Sequence, residues 1–266
     1  MLIAQITDCH VVEPGHTMAD RIDPAPGLRR AVAMIGALDP LPAFVLATGD
    51  LVNDGRPEQY ERLAELLAPL PMPVLPVPGN HDDRSTLRRL FPGLPAGGPE
   101  DRIDYVVDVD AIRLIGLDTT IPGHHGGRVT PDQMDWLDER LAEAADRPAL
   151  VFQHHPPFPS GIPWMDRDAG FEGADLEAAT LRRHRHVEAV VCGHLHRVIH
   201  QRFGGTLASC WPSTAVQLAL GFGDLLPHYT DEPTGFALHR VTAGGVQSHL
   251  VPSVPAERWI PGWATA

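Results

Sequence analysis

What most constrains this chain is a set of short apolar runs, each followed at once by residues with metal-binding side chains. Leu2–Thr7 leads into Asp8-Cys9-His10, Ala43–Thr48 into Gly49-Asp50, and Val74–Val77 into Pro78-Gly79-Asn80-His81-Asp82. Ala149–Gln153 leads into His154-His155-Pro156-Pro157, and Val187–Val191 into Cys192-Gly193-His194-Leu195-His196. Short runs rich in Val, Ile and Leu and bounded by Gly or Pro read as buried strands.

Amphipathic stretches lie between the runs. Helices are expected over Gly27–Leu38, over Pro57–Leu67 with Leu63, Leu66 and Leu67 on one face, and over Ala174–Arg185. Thr130-Pro131-Asp132-Gln133 has the form of a capping box and opens a helix to about Ala145. Alternating strands and helices imply a largely parallel sheet covered by helices. Tyr105–Val109 and Ile112–Leu117, joined by Asp110-Ala111, read as an antiparallel hairpin. The expectation is therefore an α/β fold with one mixed sheet or two packed sheets.

Beyond residue 200 the texture becomes β-rich. Gly204-Gly205 links two strands, and Ala237–Val241 and Val246–Val251 flank a Gly-Gly turn. The tail carries Pro252, Pro255, Pro261, Trp259 and Trp263. Residues 1–203 read as the catalytic core, and 204–266 as a C-terminal β segment and tail that completes it and can form an oligomer contact.

In open α/β sheets, ligands bind outside the carboxyl ends of the strands, so the five strand ends are expected to converge. Their side chains offer carboxylates, an amide oxygen and several imidazoles, with no thiolate required. That mix suits Zn, Mn or Fe rather than calcium or a structural four-thiolate zinc. The set is too large for one ion, and two ions sharing Asp50 is the economical arrangement. Gly49, Gly79 and Gly193 each directly precede a ligand position, where a residue without Cβ lets the chain turn sharply.

The ordered series Asp8-x-His10, Gly49-Asp50, Gly79-Asn80-His81-Asp82, His154-His155-Pro156-Pro157, Gly193-His194-x-His196 resembles the calcineurin-like metallophosphoesterase superfamily. Within it, the class III cyclic-nucleotide phosphodiesterases and the related bacterial glycerophosphodiesterase are most similar. The resemblance implies a four-layer αββα sandwich of mixed sheets. It implies one ion held by Asp8, His10, Asp50 and His196, and another held by Asp50, Asn80, His154 and His194. The ions would be divalent or mixed-valence Fe, Mn, Zn or Co. A hydroxide on them would attack a small phosphodiester, with Asn80 and His81 as catalytic residues. His155 would not be a ligand. The segment Gly49 to Gly55 lacks the Arg of Ser/Thr phosphatases and the Tyr ligand of purple acid phosphatases. Val216 stands where relatives often carry a His near substrate. A phosphomonoesterase or nucleotide phosphatase on the same ions is the alternative activity, and a non-enzymatic scaffold is the other class of reading.

The net charge of −13 and the lack of a basic stripe argue against polymeric nucleic acid as a partner. Three cysteines do not form a disulfide framework, and no apolar run reaches the length of a membrane span. A cytoplasmic enzyme forming a homo-oligomer, dimer or larger, is expected. His124-His125 reads as a polar loop, and Trp164 as either a pocket cap or packing.

Overall fold

The computed structural model describes every residue except 96, 99–101, 110–111, 224–225, 255, 258 and 265–266. In chain order, the first elements are β1 (Leu2–Ile6), α1 (Ala25–Gly36), β2 (Phe44–Thr48), α2 (Pro57–Leu67), β3 (Val74–Val77) and α3 (Arg84–Leu90). Next come β4 (Tyr105–Val109), β5 (Ile112–Leu117), β6 (Gly127–Arg128), α4 (Pro131–Ala142), β7 (Ala149–Gln153) and α5 (Pro163–Asp168). They are followed by β8 (Phe171–Glu172), α6 (Ala174–Leu181), β9 (Val187–Cys192), β10 (Ile199–Phe203) and β11 (Thr206–Cys210). The last are β12 (Gln217–Leu218), β13 (Tyr229–Thr230), β14 (Gly235–Thr242), β15 (Gly245–Pro252) and a short 3-10 turn at Gly262–Ala264.

Two sheets carry the fold. One has the order β15-β14-β1-β2-β3 and the other β10-β11-β9-β7-β5-β4. Strands β1, β2 and β3 are parallel, as are β5, β7, β9 and β11. The β14–β15 hairpin joins the first sheet antiparallel to β1. β4 pairs antiparallel with β5, as the sequence predicts, while the turn at Asp110-Ala111 and Pro255 lie outside the described residues.

The period of two along each strand assigns its side chains to layers. In the second sheet Leu114, Leu150, Phe152 and Val191 join the core shared with the first sheet. Their neighbours Ile115, Val151, Val190 and Cys192 face the helix layer with Leu137, Leu141 and Leu181. Helices α1 and α2 bury Leu28, Ile35, Tyr60 and Leu63 against the first sheet. The layers are thus helix, sheet, sheet, helix.

Helices end earlier than their apolar period suggests. After Leu181 the chain tightens, with Arg183 N–H bonding Thr180 O and His184 N–H bonding Leu181 O, each three residues back. Thr130 caps α4 by accepting from Gln133 N–H at 3.4 Å. The return half of the capping box is not made. Gln133 Nε2 instead donates to Asp104 and to Asp118 O. α3 starts at an Asp83 cap that accepts from Thr86 N–H at 2.8 Å.

Candidate metal centre

The site is built where the parallel strands end. The segments after β1 and β2 run on side by side, with Asp8 N–H bonded to Gly49 O at 3.0 Å and His10 N–H to Asp50 O at 2.9 Å. The segment after β9 is tied to that after β7 by Gly193 N–H to His154 O at 2.9 Å. It is tied to β1 by His194 N–H to the Asp8 carboxylate at 3.0 Å.

Backbone strain concentrates here. Among the described residues, seven non-glycines have positive φ, and five of them are Asp8, His10, Asp50, His194 and His196, at 44° to 70°. Such conformations persist only where surrounding contacts over-determine them, and they cluster at functional sites. Two glycines permit the crowding. A Cβ on Gly79 would overlap the Asp50 carboxylate, and one on Gly193 would overlap Thr7 Oγ1 and Asp8 Oδ2.

All seven residues predicted as ligands meet at this point. Asp50 Oδ2 lies 3.3 Å from His154 Nε2 and 3.7 Å from His10 Nε2, so it stands between two groups of donors. On one side His196 Nε2 is 3.3 Å from Asp8 Oδ1 and 3.1 Å from His10 Nε2. On the other, His154 Nε2 is 3.2 Å from both Asn80 Oδ1 and His194 Nδ1. The two acids and four histidines are buried, and Asn80 and His81 are half-buried.

Backbone carbonyls fix which imidazole nitrogen faces inward. His154 Nδ1 donates to Thr48 O at 2.8 Å, His196 Nδ1 to Val216 O at 2.7 Å, and His194 Nε2 to Ala169 O at 3.2 Å. Each ring therefore turns its lone-pair nitrogen to the centre, the arrangement that orients metal-ligating histidines. His155 differs: its Nδ1 meets Thr119 Oγ1 at 2.8 Å and its Nε2 donates to His125 O at 3.1 Å. Both nitrogens are engaged, so it braces a loop rather than offering a donor.

Burial pushes the Asp50 carboxyl up, but the charges of His154 and His81 outweigh it and hold the group well below its usual range. Burial likewise pushes His154 down, and the Asp50 carboxylate overcomes it, raising the ring to about 9. Burial dominates at His10 and His194, both lowered to about 3. These are the responses of lone pairs and carboxylates packed together, a place where cation and proton compete. The donor set fits two first-row divalent ions. Asp8, His10 and His196 form one group within ligand-bridging distance, and Asp8, Asp50 and His154 another.

Asp82 holds the turn behind the site. Its half-buried side chain accepts from Gly79 N–H, Leu51 N–H, Val52 N–H and the Tyr60 hydroxyl. Burial and the Asp50 charge push it up to about 6. All three cysteines are free and buried, and the in-register neighbour of Cys192 is Cys210.

The cleft above the donors has a volume of about 270 Å³. Its walls include residues that sequence reasoning underrated. His125 enters it with Nδ1 3.3 Å from Asn80 Nδ2. Trp164, Asp168 and Tyr229 also line it. The sequence signal for His125 was only its place in a His-rich loop; Tyr229 had none.

Two packed mixed sheets with this cluster at the strand ends define a metallophosphoesterase. The chain belongs to the calcineurin-like phosphoesterase family, whose family model matches residues 1–198. It is 34% identical to the glycerophosphodiester phosphodiesterase GpdQ of Enterobacter lignolyticus (strain SCF1), over 90% of this chain and 87% of that protein. It is 32% identical to the 3',5'-cyclic adenosine monophosphate phosphodiesterase CpdA of Pseudomonas aeruginosa, over 84% of this chain and 80% of that one. A dimetal phosphatase from Danio rerio shares the fold, with a TM-score of 0.70, 18% identity and 96% of each chain covered.

Proposed function

We propose that this protein is a phosphoric diester hydrolase acting on small phosphodiesters, such as cyclic nucleotides or glycerophosphodiesters, at a two-ion site. The ligands are Asp8, His10, Asp50 and His196 for one ion and Asp50, Asn80, His154 and His194 for the other. Bound ions supply positive charge at the phosphoryl group and lower the pKa of water. The mixture of imidazole, carboxylate and amide oxygen supports Fe, Mn, Zn or Co.

The observation that carries the diester reading is the charge of the cleft. Among its described lining residues there is no Arg or Lys; the polar groups are His, Asp and Asn, and the rest of the wall is Trp164, Met165, Ala169, Leu218, Pro227 and Tyr229. A phosphomonoester carries about −1.5 to −2 charges near neutral pH. A diester carries one, and its second ester carbon suits an apolar wall. The names of the relatives, glycerophosphodiester and cyclic-nucleotide phosphodiesterases, support the same class.

The chain's own groups have defined tasks. His81 Nδ1 donates to Asn53 O at 2.6 Å, which turns Nε2 toward the cleft; in its imidazolium form the ring gives that nitrogen's proton to the departing alkoxide. His81 N–H bonds Asp50 Oδ1 at 2.9 Å and keeps that carboxylate in place.

No helix among the described residues is long and apolar enough to cross a membrane. Three buried free thiols support a reducing, cytoplasmic setting. Trp259 and Trp263, 78% and 82% exposed, support assembly into a dimer or larger through the C-terminal tail. A monomer by light scattering would count against that assembly.

The test is a substrate panel on metal-depleted protein reconstituted with each metal, with Asn80→Ala as control. The expected result is metal-dependent cleavage of bis(p-nitrophenyl) phosphate well above that of p-nitrophenyl phosphate. A strong monoester preference would overturn the reaction class.

A further inference from the structure

The catalytic cleft is small. Its volume of about 270 Å³ lies under the ~300–1,000 Å³ of pockets that enclose drug-sized ligands. A phosphate and a compact ester group fill it. A larger cavity of about 590 Å³ adjoins, and Tyr229 lines both spaces. Val216, whose carbonyl accepts from His196 Nδ1, also lines the larger one. The two spaces therefore meet at Tyr229.

The loop that walls this cavity is preformed. Met18 and Ile22 bond each other through both backbone pairs, at 2.9 and 3.0 Å. Ala19 and Asp20 between them have φ of 47° and 55°. Val12, Met18, Ile22, Ala215 and Val216 pack into one small apolar cluster beneath the turn. This packing carries Arg21 to the cavity wall. Its side chain makes no hydrogen bond or ion pair among the described residues. Arg30, on α1, spends only Nε, donated to Ser253 O at 3.1 Å. Two carboxylates face the same space. Glu232 is neutralised by Arg197 at 2.9 Å, which leaves Asp231 as the counter-charge. Two free guanidiniums against one free carboxylate make this wall positive, in a chain of net charge −13.

We propose that the second cavity is the subsite for an ester group that bears its own anionic charge, received by Arg21 and Arg30. The inference rests on the phosphodiesterase reading. The reacting phosphate sits among the histidines, one ester group passes Tyr229, and its terminal phosphate or carboxylate meets the two guanidiniums. The preferred substrates are then diesters in which one alcohol is itself phosphorylated or carboxylated.

The experiment compares two chromogenic substrates on the metal-loaded protein. One is the p-nitrophenyl ester of thymidine 5'-phosphate, and the other is the same compound carrying a 3'-phosphate. The readout is the ratio of their KM values. The 3'-phosphorylated compound is expected to bind about tenfold better, the scale of one charge-assisted contact. Arg21→Ala with Arg30→Ala should bring the ratio to about one, and Asp231→Asn should move it the other way. A wild-type ratio near one, or a ratio unmoved by either variant, overturns the subsite. Failure of the wild type to cleave even bis(p-nitrophenyl) phosphate would instead overturn the phosphodiesterase reading.

Discussion

His10 Nε2 lies 3.1 Å from His196 Nε2, and both rings face the carboxylates of Asp50 and Asp8. His196 gives its other proton to Val216 O, so its inner nitrogen is a lone pair. His10 Nδ1 is buried without a hydrogen-bond partner among the described residues, so no outer hydrogen bond orients this ring, which packs edge-on against His81 at 4.8 Å between centroids. Asp50 lies between the two donor groups, within 3.3 Å of His154 and 3.7 Å of His10, where the proposed function has it shared by both ions. Asp50→Ala should therefore lose both ions, whereas His194→Ala should keep the one held with Asp8, His10 and His196. Elemental analysis after gel filtration reads this directly. Full metal content in Asp50→Ala would remove Asp50 from the bridging position.

The Asn80 amide has two jobs. Its Oδ1 turns toward His154, and its Nδ2 donates to His125 Nδ1 at 3.3 Å. The His125 carbonyl in turn accepts from His155, which Thr119 holds from behind. His125→Ala frees the amide to rotate, so it should weaken the ion on the Asn80 side about 10–100-fold. The other ion should be little changed. Calorimetric titration with Mn, in which two binding events are resolved, separates the two. His125→Gln, which keeps an acceptor, should recover much of the loss. Equal weakening of both ions would show that the loop acts by folding rather than by orienting Asn80.

Much of this was legible in the sequence, for a physical reason. Val74–Val77 is a wholly apolar run and Ala149–Gln153 is apolar up to its last residue, both with sharp polar ends and both with the predicted bounds. The five strand ends brought Asp8, Asp50, Asn80, His154 and His194 into one cluster because the parallel strands finish at the same edge, where the apolar runs stop. The segments that wall the cleft were less legible. α5 is only Pro163–Asp168, too short to show a helical period. His125 reaches the site through tertiary ties. Arg84 grips Asp118 at 2.6 Å, Asp118 accepts from Thr120 N–H at 3.0 Å, and Arg84 also bonds Thr120 O, which anchors the start of the His125 loop. No local pattern encodes such links. Tyr229 lies on a two-residue strand whose partner, Gln217–Leu218, is equally short.

Glycine substitutions separate close approach from simple flexibility. A Cβ at Gly193 would strike Thr7 Oγ1 and the Asp8 carboxylate, while one at Gly36 would meet nothing within 4 Å. Gly193→Ala should destabilise the fold by roughly 1–3 kcal/mol, as overpacking does, and should displace Asp8. Gly36→Ala, at the end of α1, should be neutral or stabilise by up to about 1 kcal/mol. Thermal unfolding of both variants checks the contrast. Equal melting temperatures would mean that the backbone behind Asp8 yields easily.

Glu177 sets a pH dependence away from the donor cluster. It is wholly buried at the start of α6, and burial pushes its carboxyl up to about 8 against a hydrogen bond from Gln153 at 3.5 Å. Glu177 Oε1 and Gln153 Oε1 are both buried without donors, so a proton on the carboxyl supplies what the pair lacks. An unfolded glutamate titrates near ~4.3. Between that value and about 8 the folded chain holds one more proton than the unfolded chain. Stability therefore falls as pH rises across this window. The contribution is complete below the unfolded pKa and lost by the folded one. Glu177→Gln keeps the shape and cannot ionise, so its advantage over the wild type should grow with pH, to on the order of a few kcal/mol above pH 8. Urea unfolding of the two proteins at pH 5 and pH 8.5 measures that slope. A gap that does not widen with pH would mean that Glu177 carries no proton in the folded protein at neutral pH.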